Sequence, residues 1–136
     1  TQFDLFILGN SIEYLPPNTS IVLSKELIKK TKLFHGNRLV FETIINILVN
    51  TCLVCIKENR LSAAQELISN LQALDIDETY FFERVLIKFV FGCYLVKSGY
   101  VVKGENEVND ALNVMRLIGA NVLEENFRNV YNSYTT

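Results

Sequence analysis

The spacing of the apolar residues constrains the fold of this chain more than any other feature. They recur at i, i+3, i+4 and i+7 through nearly every segment, which places them on one stripe of an α-helix. Only six glycines and two prolines occur among 136 residues, which favours long regular elements over many turns. The one candidate strand, "YVV" at 100–102, is too short. We therefore predict an all-α protein.

Residues that start or stop helices divide the chain into about seven helices. Gly99 and Gly119 suit the left-handed position that follows a helix, and Ser62 offers an N-cap oxygen. We predict helices over roughly 3–12, from 18–20 to 32, 38–58, from 62 to a loop at 74–79, 79–97, 103–118 and 121–134.

The chain also repeats itself at a shift of 40 residues, which places Asn59 on Gly99 and Ala64 on Gly104. Each unit is a long helix, a tight turn and a second helix. Such units stack because none buries its apolar face alone. The repeat predicts a right-handed superhelix of antiparallel helix pairs, a tetratricopeptide-like α-solenoid; chance similarity between helix pairs is the alternative. Gly92 is the small residue expected at the helix crossing, and Cys52 replaces it in the first unit.

Four segments carry a resemblance to a known family: "LFILGNSIEYLPPNT" at 5–19, "LSKELIKKTKLFHGNR" at 23–38, "IINILVN" at 44–50 and "DETYFFERVLIKFVFGCYLVKSG" at 77–99. In this order they resemble the C-terminal regulatory domain of the Rgg/GadR/MutR family of bacterial transcription regulators, over essentially the full length. The resemblance implies that residues 1–136 form a single helical-repeat domain that dimerises. It also implies that DNA is bound only through an N-terminal helix-turn-helix domain outside these residues. Several members bind a short hydrophobic signalling peptide in quorum sensing, and the family occurs in low-GC Gram-positive bacteria.

A polar stripe on the helix over 38–58 is the candidate ligand surface. Asn46 and Asn50 share this stripe with Glu42 and Lys57, and we predict that it is the only free surface of the helix. An asparagine pair at i, i+4 binds the backbone amides of a peptide without reading its side chains. A plain solvent face is the alternative.

Apolar residues extend the stripe, and its equivalent 40 residues later is largely apolar, which fits either a hydrophobic peptide or a central core helix. The predicted peptide-binding residues are Arg38, Leu39, Glu42, Asn46, Asn50, Leu53, Lys57, Leu86 and Val90.

The pair Cys52 and Cys55 forms a C-x-x-C motif in the middle of a helix, on its apolar side. A zinc site needs two further ligands, and only His35 and Cys93 remain. We predict that the cysteines are small core residues, and we expect no metal and no cofactor. Without a catalytic motif, we also expect no enzymatic activity.

The net charge of −2, without a basic stripe, makes this chain alone a poor nucleic-acid binder. Three cysteines suit the cytoplasm, and the apolar windows 44–56 and 85–96 are too short to span a membrane. An aromatic edge, Phe127, Tyr131 and Tyr134, is the predicted homodimer contact. Two functions remain open: a peptide sensor, or a constitutive helical-repeat dimerisation scaffold without a peptide ligand.

Overall fold

The structure, a computed structural model, describes residues 17–31, 33 and 36–135. Within these residues it contains no strand and six helices: α1 (Pro17–Lys30), α2 (Arg38–Lys57), α3 (Leu61–Ala73), α4 (Phe81–Lys97), α5 (Val101–Leu117) and α6 (Asn121–Thr135). The all-α prediction is confirmed for this part of the chain, with six helices rather than about seven. The helix predicted over 3–12 lies outside the described residues.

Three of the connections are the same tight turn. Asn59, Gly99 and Gly119 have φ of 60°, 98° and 81°, the left-handed region. In each turn the N–H of the residue that follows donates to the carbonyl oxygen five positions before it, at 2.7 to 2.8 Å. This is the hydrogen bond that closes a helix C-terminus. The predicted equivalence of Asn59 and Gly99 is confirmed, because asparagine tolerates the left-handed conformation.

The turns also explain where the following helices begin. Arg60 is the N-cap of α3 and makes no side-chain cap hydrogen bond, so the N-cap predicted at Ser62 is wrong. A single residue follows Asn59 before α3 starts, and Tyr100 holds the same position before α5. Each helix therefore starts earlier than polar capping residues indicate. By contrast, Asn37 caps α2 by accepting a hydrogen bond from the Val40 N–H at 3.2 Å.

Helices that follow one another pack together, and alternate helices also meet. The helices α2, α4 and α6 contact one another, and α1 contacts α3. Short connections join packed neighbours and reverse the chain direction, so α2, α4 and α6 run parallel in one layer. These three helices, the inner layer, carry the candidate site.

The crossing of α4 and α5 depends on two glycines. A Cβ placed on Gly92 would lie 2.9 Å from the Gly104 carbonyl oxygen, and one on Gly104 would lie 2.7 Å from the Gly92 oxygen. The two backbones are therefore in direct contact, as predicted for small residues at this crossing. The equivalent residues of the first unit, Cys52 and Ala64, are fully buried.

The helix α2 is the core helix. It is the one helix in the described residues that is long and apolar enough to cross a membrane, with 20 residues and a mean hydropathy of 2.1. By length and composition, therefore, the prediction that this apolar stretch is too short to span a membrane is wrong. However, 78% of this window is buried inside the protein, which is typical of a core helix.

Candidate functional site

The asparagine stripe of α2 is buried. Asn46 is 0% exposed, Asn50 is 1% exposed and Glu42 is 8% exposed. The prediction that this stripe is the free surface of the helix is therefore wrong. Its role in binding a ligand stays a prediction, because burial shows only that another part of the chain covers it.

The nine predicted peptide-binding residues divide into two groups. The structure buries Glu42, Asn46, Asn50, Leu53, Leu86 and Val90. It leaves Arg38, Leu39 and Lys57 exposed, at the two ends of α2. Residues of α2 and α4 thus share the inner layer, and six of the nine are covered by other parts of the chain.

The helix α6 packs against both helices that carry these residues. The Lys57 Nζ lies 5.4 Å from the centroid of the Tyr134 ring. Further along α6, the Phe127 ring packs edge-on against Phe89 and Phe82 of α4, with centroids 5.1 and 6.3 Å apart. Phe127 is seven residues, about 10 Å, before Tyr134 on a helix parallel to α2. It therefore reaches the level of Asn50, which is seven residues before Lys57.

The same contacts correct the predicted aromatic edge. Phe127 is 0% exposed and Tyr134 is 6% exposed, while Tyr131 is half-buried. The first two side chains are used inside the chain, because the apolar stripe of α6 turns towards α2 and α4. A dimer contact through these three residues stays a prediction without support from their exposure.

The buried asparagines bond to their own helix. Asn46 Nδ2 donates to the Glu42 carbonyl oxygen at 2.8 Å, and Asn50 Nδ2 donates to the Asn46 carbonyl oxygen at 2.8 Å. The side-chain oxygen of Asn46, Oδ1, is buried and accepts no hydrogen bond from the described residues. An unsatisfied buried acceptor costs about 1–3 kcal/mol. This oxygen is available to an N–H donor that reaches the face.

Arg38 joins the start of α2 to the loop before α4. Its Nε donates to Glu42 Oε1 at 2.9 Å, and its Nη atoms donate to the Thr79 hydroxyl and carbonyl oxygens at 3.3 and 3.2 Å. The guanidinium also lies 4.2 Å from the centroid of the Tyr80 ring. Its donors are largely occupied, so Arg38 fixes the loop in this conformation.

The loop itself is held by Asp77. Its Oδ1 accepts from the Thr79 hydroxyl at 2.7 Å and from the Thr79 N–H at 2.8 Å. These two hydrogen bonds lower the pKa of the Asp77 carboxyl below its ordinary value. His35, the other predicted side chain near this end, lies outside the described residues.

Comparison with known proteins identifies the family. The family described as HTH-type transcriptional regulator Rgg, C-terminal domain, matches residues 1–129. The chain belongs to this family. It is a family of regulator domains rather than of enzymes, so the chain is a regulatory domain of a transcription regulator. No solved structure matches the chain.

A feature of this Rgg domain that the sequence did not predict is an apolar cleft of about 520 Å³ where α4, α5 and α6 meet. Phe81 and Ile118 on its rim are 74% and 75% exposed. Leu117 and Val122, close to Ile118 in the sequence, are exposed to a similar extent. A signal was present in the sequence, because the adjacent pair Leu117 and Ile118 cannot both face one core. The cleft is lined by Phe81, Phe82, Arg84, Val85, Val114, Met115, Ile118, Ala120 and Leu123.

The three cysteines of the Rgg domain are free and fully buried, which confirms that they are core residues. Burial raises the pKa of the Cys52 thiol well above its usual value, and the neighbouring Cys55 raises it further. Burial also raises the pKa of Cys55 and Cys93. The thiolate is the reactive form, so these side chains are poor nucleophiles. The described residues hold no group of three or more potential metal ligands.

Proposed function

We propose that this Rgg domain is a peptide sensor. A short hydrophobic peptide binds on the concave face that α2 and α4 form within a right-handed, tetratricopeptide-like superhelix of antiparallel helix pairs. The domain acts in the cytoplasm as a homodimer and controls a DNA-binding domain that lies outside these residues. Family membership supports the regulatory role.

One observation carries the peptide assignment: the buried, unpaired Oδ1 of Asn46 on the inner face of α2. A peptide backbone N–H satisfies this acceptor, and no side chain of the peptide is needed for the bond. Leu53, Leu86 and Val90 supply the apolar part of the face, which suits hydrophobic side chains. The site therefore combines backbone recognition with apolar burial.

The signal passes through a shift between two dimer arrangements, and the peptide must prefer one of them. The predicted contacts Phe127 and Tyr134 are buried, so the exposed side chains around the apolar cleft are better candidates for contact with a second copy. Phe81, Leu117, Ile118 and Val122 are each at least 70% exposed. Contiguous apolar surface of this kind marks interaction sites.

Isothermal calorimetry of the chain with synthetic hydrophobic peptides tests the proposal. We expect Asn46→Ala and Asn50→Ala each to weaken peptide affinity at least fivefold. Asn109→Ala, at an exposed asparagine of α5, is the matched control and leaves affinity unchanged. If both inner variants stay within twofold of the original affinity, about 0.4 kcal/mol, the asparagine assignment is wrong.

The burial of six of the nine predicted residues favours a second candidate function. In this alternative the domain is a constitutive dimerisation scaffold whose inner face is filled by α6. It predicts concentration-dependent dimers in analytical ultracentrifugation and no heat of binding with any hydrophobic peptide. Calorimetry at a protein concentration where the dimer is complete separates the two functions.

A further inference from the structure

The helix α6 already contacts the face assigned to the peptide, and few of its described side chains are buried. Among the described side chains of α6, only Phe127 and Tyr134 are buried. Phe127 packs on Phe82 and Phe89, and the Tyr134 ring lies beside the Lys57 ammonium. Leu123, Val130 and Tyr131 are partly buried against the core, and Val122 is exposed.

The attachment of α5 is of a different kind. Its backbone touches α4 at Gly92 and Gly104, and five of its residues are buried. The helix α6 follows a turn of only a few residues around Gly119. Of the three helices of the inner layer, α6 has the fewest buried side chains among the described residues, so it separates from its neighbours with the least loss of packing.

The polar match between α6 and the inner face is also incomplete. Asn46 Oδ1 accepts no hydrogen bond from the described residues, those of α6 included. An α-helix uses its backbone N–H groups internally beyond its first turn, so the body of α6 has no backbone donor to offer. An extended peptide presents free N–H groups and makes the bond that α6 lacks.

We infer that α6 is an internal competitor for the peptide site, an inference that rests on the proposed function. The peptide binds by displacing α6. The chemistry of the peptide follows from the side chains that it replaces. It carries two large apolar side chains about 10 Å apart, in place of Phe127 and Tyr134, and a free backbone N–H opposite Asn46. Release of α6 at the same time alters the cleft lined by Ala120 and Leu123, which couples the peptide site to that surface.

Thiol labelling of the full chain tests whether α6 detaches. Leu53→Cys places a thiol under α6, and Leu48→Cys places one on the opposite side of α2; both leucines are buried. With N-ethylmaleimide and peptide mapping, we expect Leu53→Cys to react at least tenfold faster than Leu48→Cys. Phe127→Ala should increase only the Leu53→Cys rate, again at least tenfold, while the native cysteines stay unreacted. Equal rates at the two positions would overturn the inference, because both thiols would then become accessible only through global unfolding.

A second measurement identifies the competitor directly. The probe is a synthetic peptide with the sequence of residues 121–136, added to the chain that carries Leu53→Cys and Phe127→Ala. We expect it to slow labelling at position 53 at least fivefold. The same peptide with alanine in place of Phe127 should have no effect. Absence of protection by the unaltered peptide would refute the inference.

If Phe127→Ala does not fold, Tyr134→Ala removes the other anchor and takes its place in both measurements. Neither measurement uses a signalling peptide. Their failure therefore overturns the competitor inference, while calorimetry with hydrophobic peptides judges the proposed function separately.

Discussion

Replacing Gly92 with alanine should destabilise the domain, because the crossing of α4 and α5 leaves no room for a methyl group. The added Cβ would meet the Gly104 carbonyl oxygen and the Val108 N at 2.9 Å, and the Val108 Cγ2 at 2.7 Å. Two of these three atoms belong to the backbone, so a change of rotamer cannot remove the clash. The helices must move apart by about 0.5 Å, and a gap of this size forfeits roughly a quarter of the dispersion energy across the contact.

The expected magnitude combines two opposing terms. Overpacking of this kind costs about 3 kcal/mol, the upper part of the usual range, since the clash is with backbone. Alanine in a helix interior returns about 1 kcal/mol relative to glycine. The net loss in the free energy of unfolding is therefore about 2 kcal/mol. With a urea dependence of about 2 kcal/mol per molar, the unfolding midpoint falls by about 1 M.

Urea unfolding followed by circular dichroism measures this change. Gly36→Ala is the control, because a Cβ at Gly36 would meet no atom within 4 Å. We expect its midpoint to equal that of the original chain or to rise slightly. A Gly92→Ala midpoint at or above that of Gly36→Ala would refute the close backbone contact between α4 and α5.

Three further predictions follow from single contacts. Asn59→Ala should lower the free energy of unfolding by about 1 kcal/mol, because φ is 60° there, whereas Asn59→Gly should be near neutral; urea unfolding checks both. Lys88→Ala should cost about 0.5–1 kcal/mol by removing the 2.7 Å pair with Glu107, and the loss measured in urea should shrink in high salt. The pKa of Asp77 is lower in the folded state, so its contribution is present above the ordinary pKa of 3.8 and lost as the pH falls through the lowered value. The difference in urea midpoint between the original chain and Asp77→Ala should therefore shrink below that pH.

The parts of the fold that depend on nearby residues were predictable. Helical periodicity and turn chemistry act over a few residues, so the sequence indicates the turns at Asn59, Gly99 and Gly119 without knowledge of the rest. The small residues Gly92 and Gly104 were also predictable, because the repeat aligns each with a small residue in the first unit. These features need only the chain's own spacing.

The exposure of the asparagine stripe was not predictable from α2 alone. A polar stripe on an apolar helix usually faces water. Here the amide groups of Asn46 and Asn50 donate to carbonyl oxygens one turn earlier, so part of their hydrogen-bonding capacity is met inside the helix. Such back-bonding lowers the cost of burial. The missing information was which other parts of the chain pack against this helix. For α6, the local sign was the spacing of seven between Phe127 and Tyr134.

The unpaired acceptor in the stripe bears on how tightly α6 competes with the peptide in the proposed mechanism. The unpaired Oδ1 of Asn46 costs about 1–3 kcal/mol whenever α6 is docked. A peptide that donates to this oxygen recovers that free energy, which corresponds to a preference of roughly 5- to 150-fold over α6 for the same face. Tethering raises the effective concentration of α6 to about millimolar or above, which opposes the peptide. A peptide present at micromolar concentration must then gain the remaining advantage from its apolar side chains. This balance gives a prediction for Asn46→Leu, which removes the unpaired acceptor. The variant should stabilise docked α6 and weaken peptide binding, so labelling of Leu53→Cys should slow in that background. Faster labelling would show that the asparagine holds α6 in place rather than weakening its attachment.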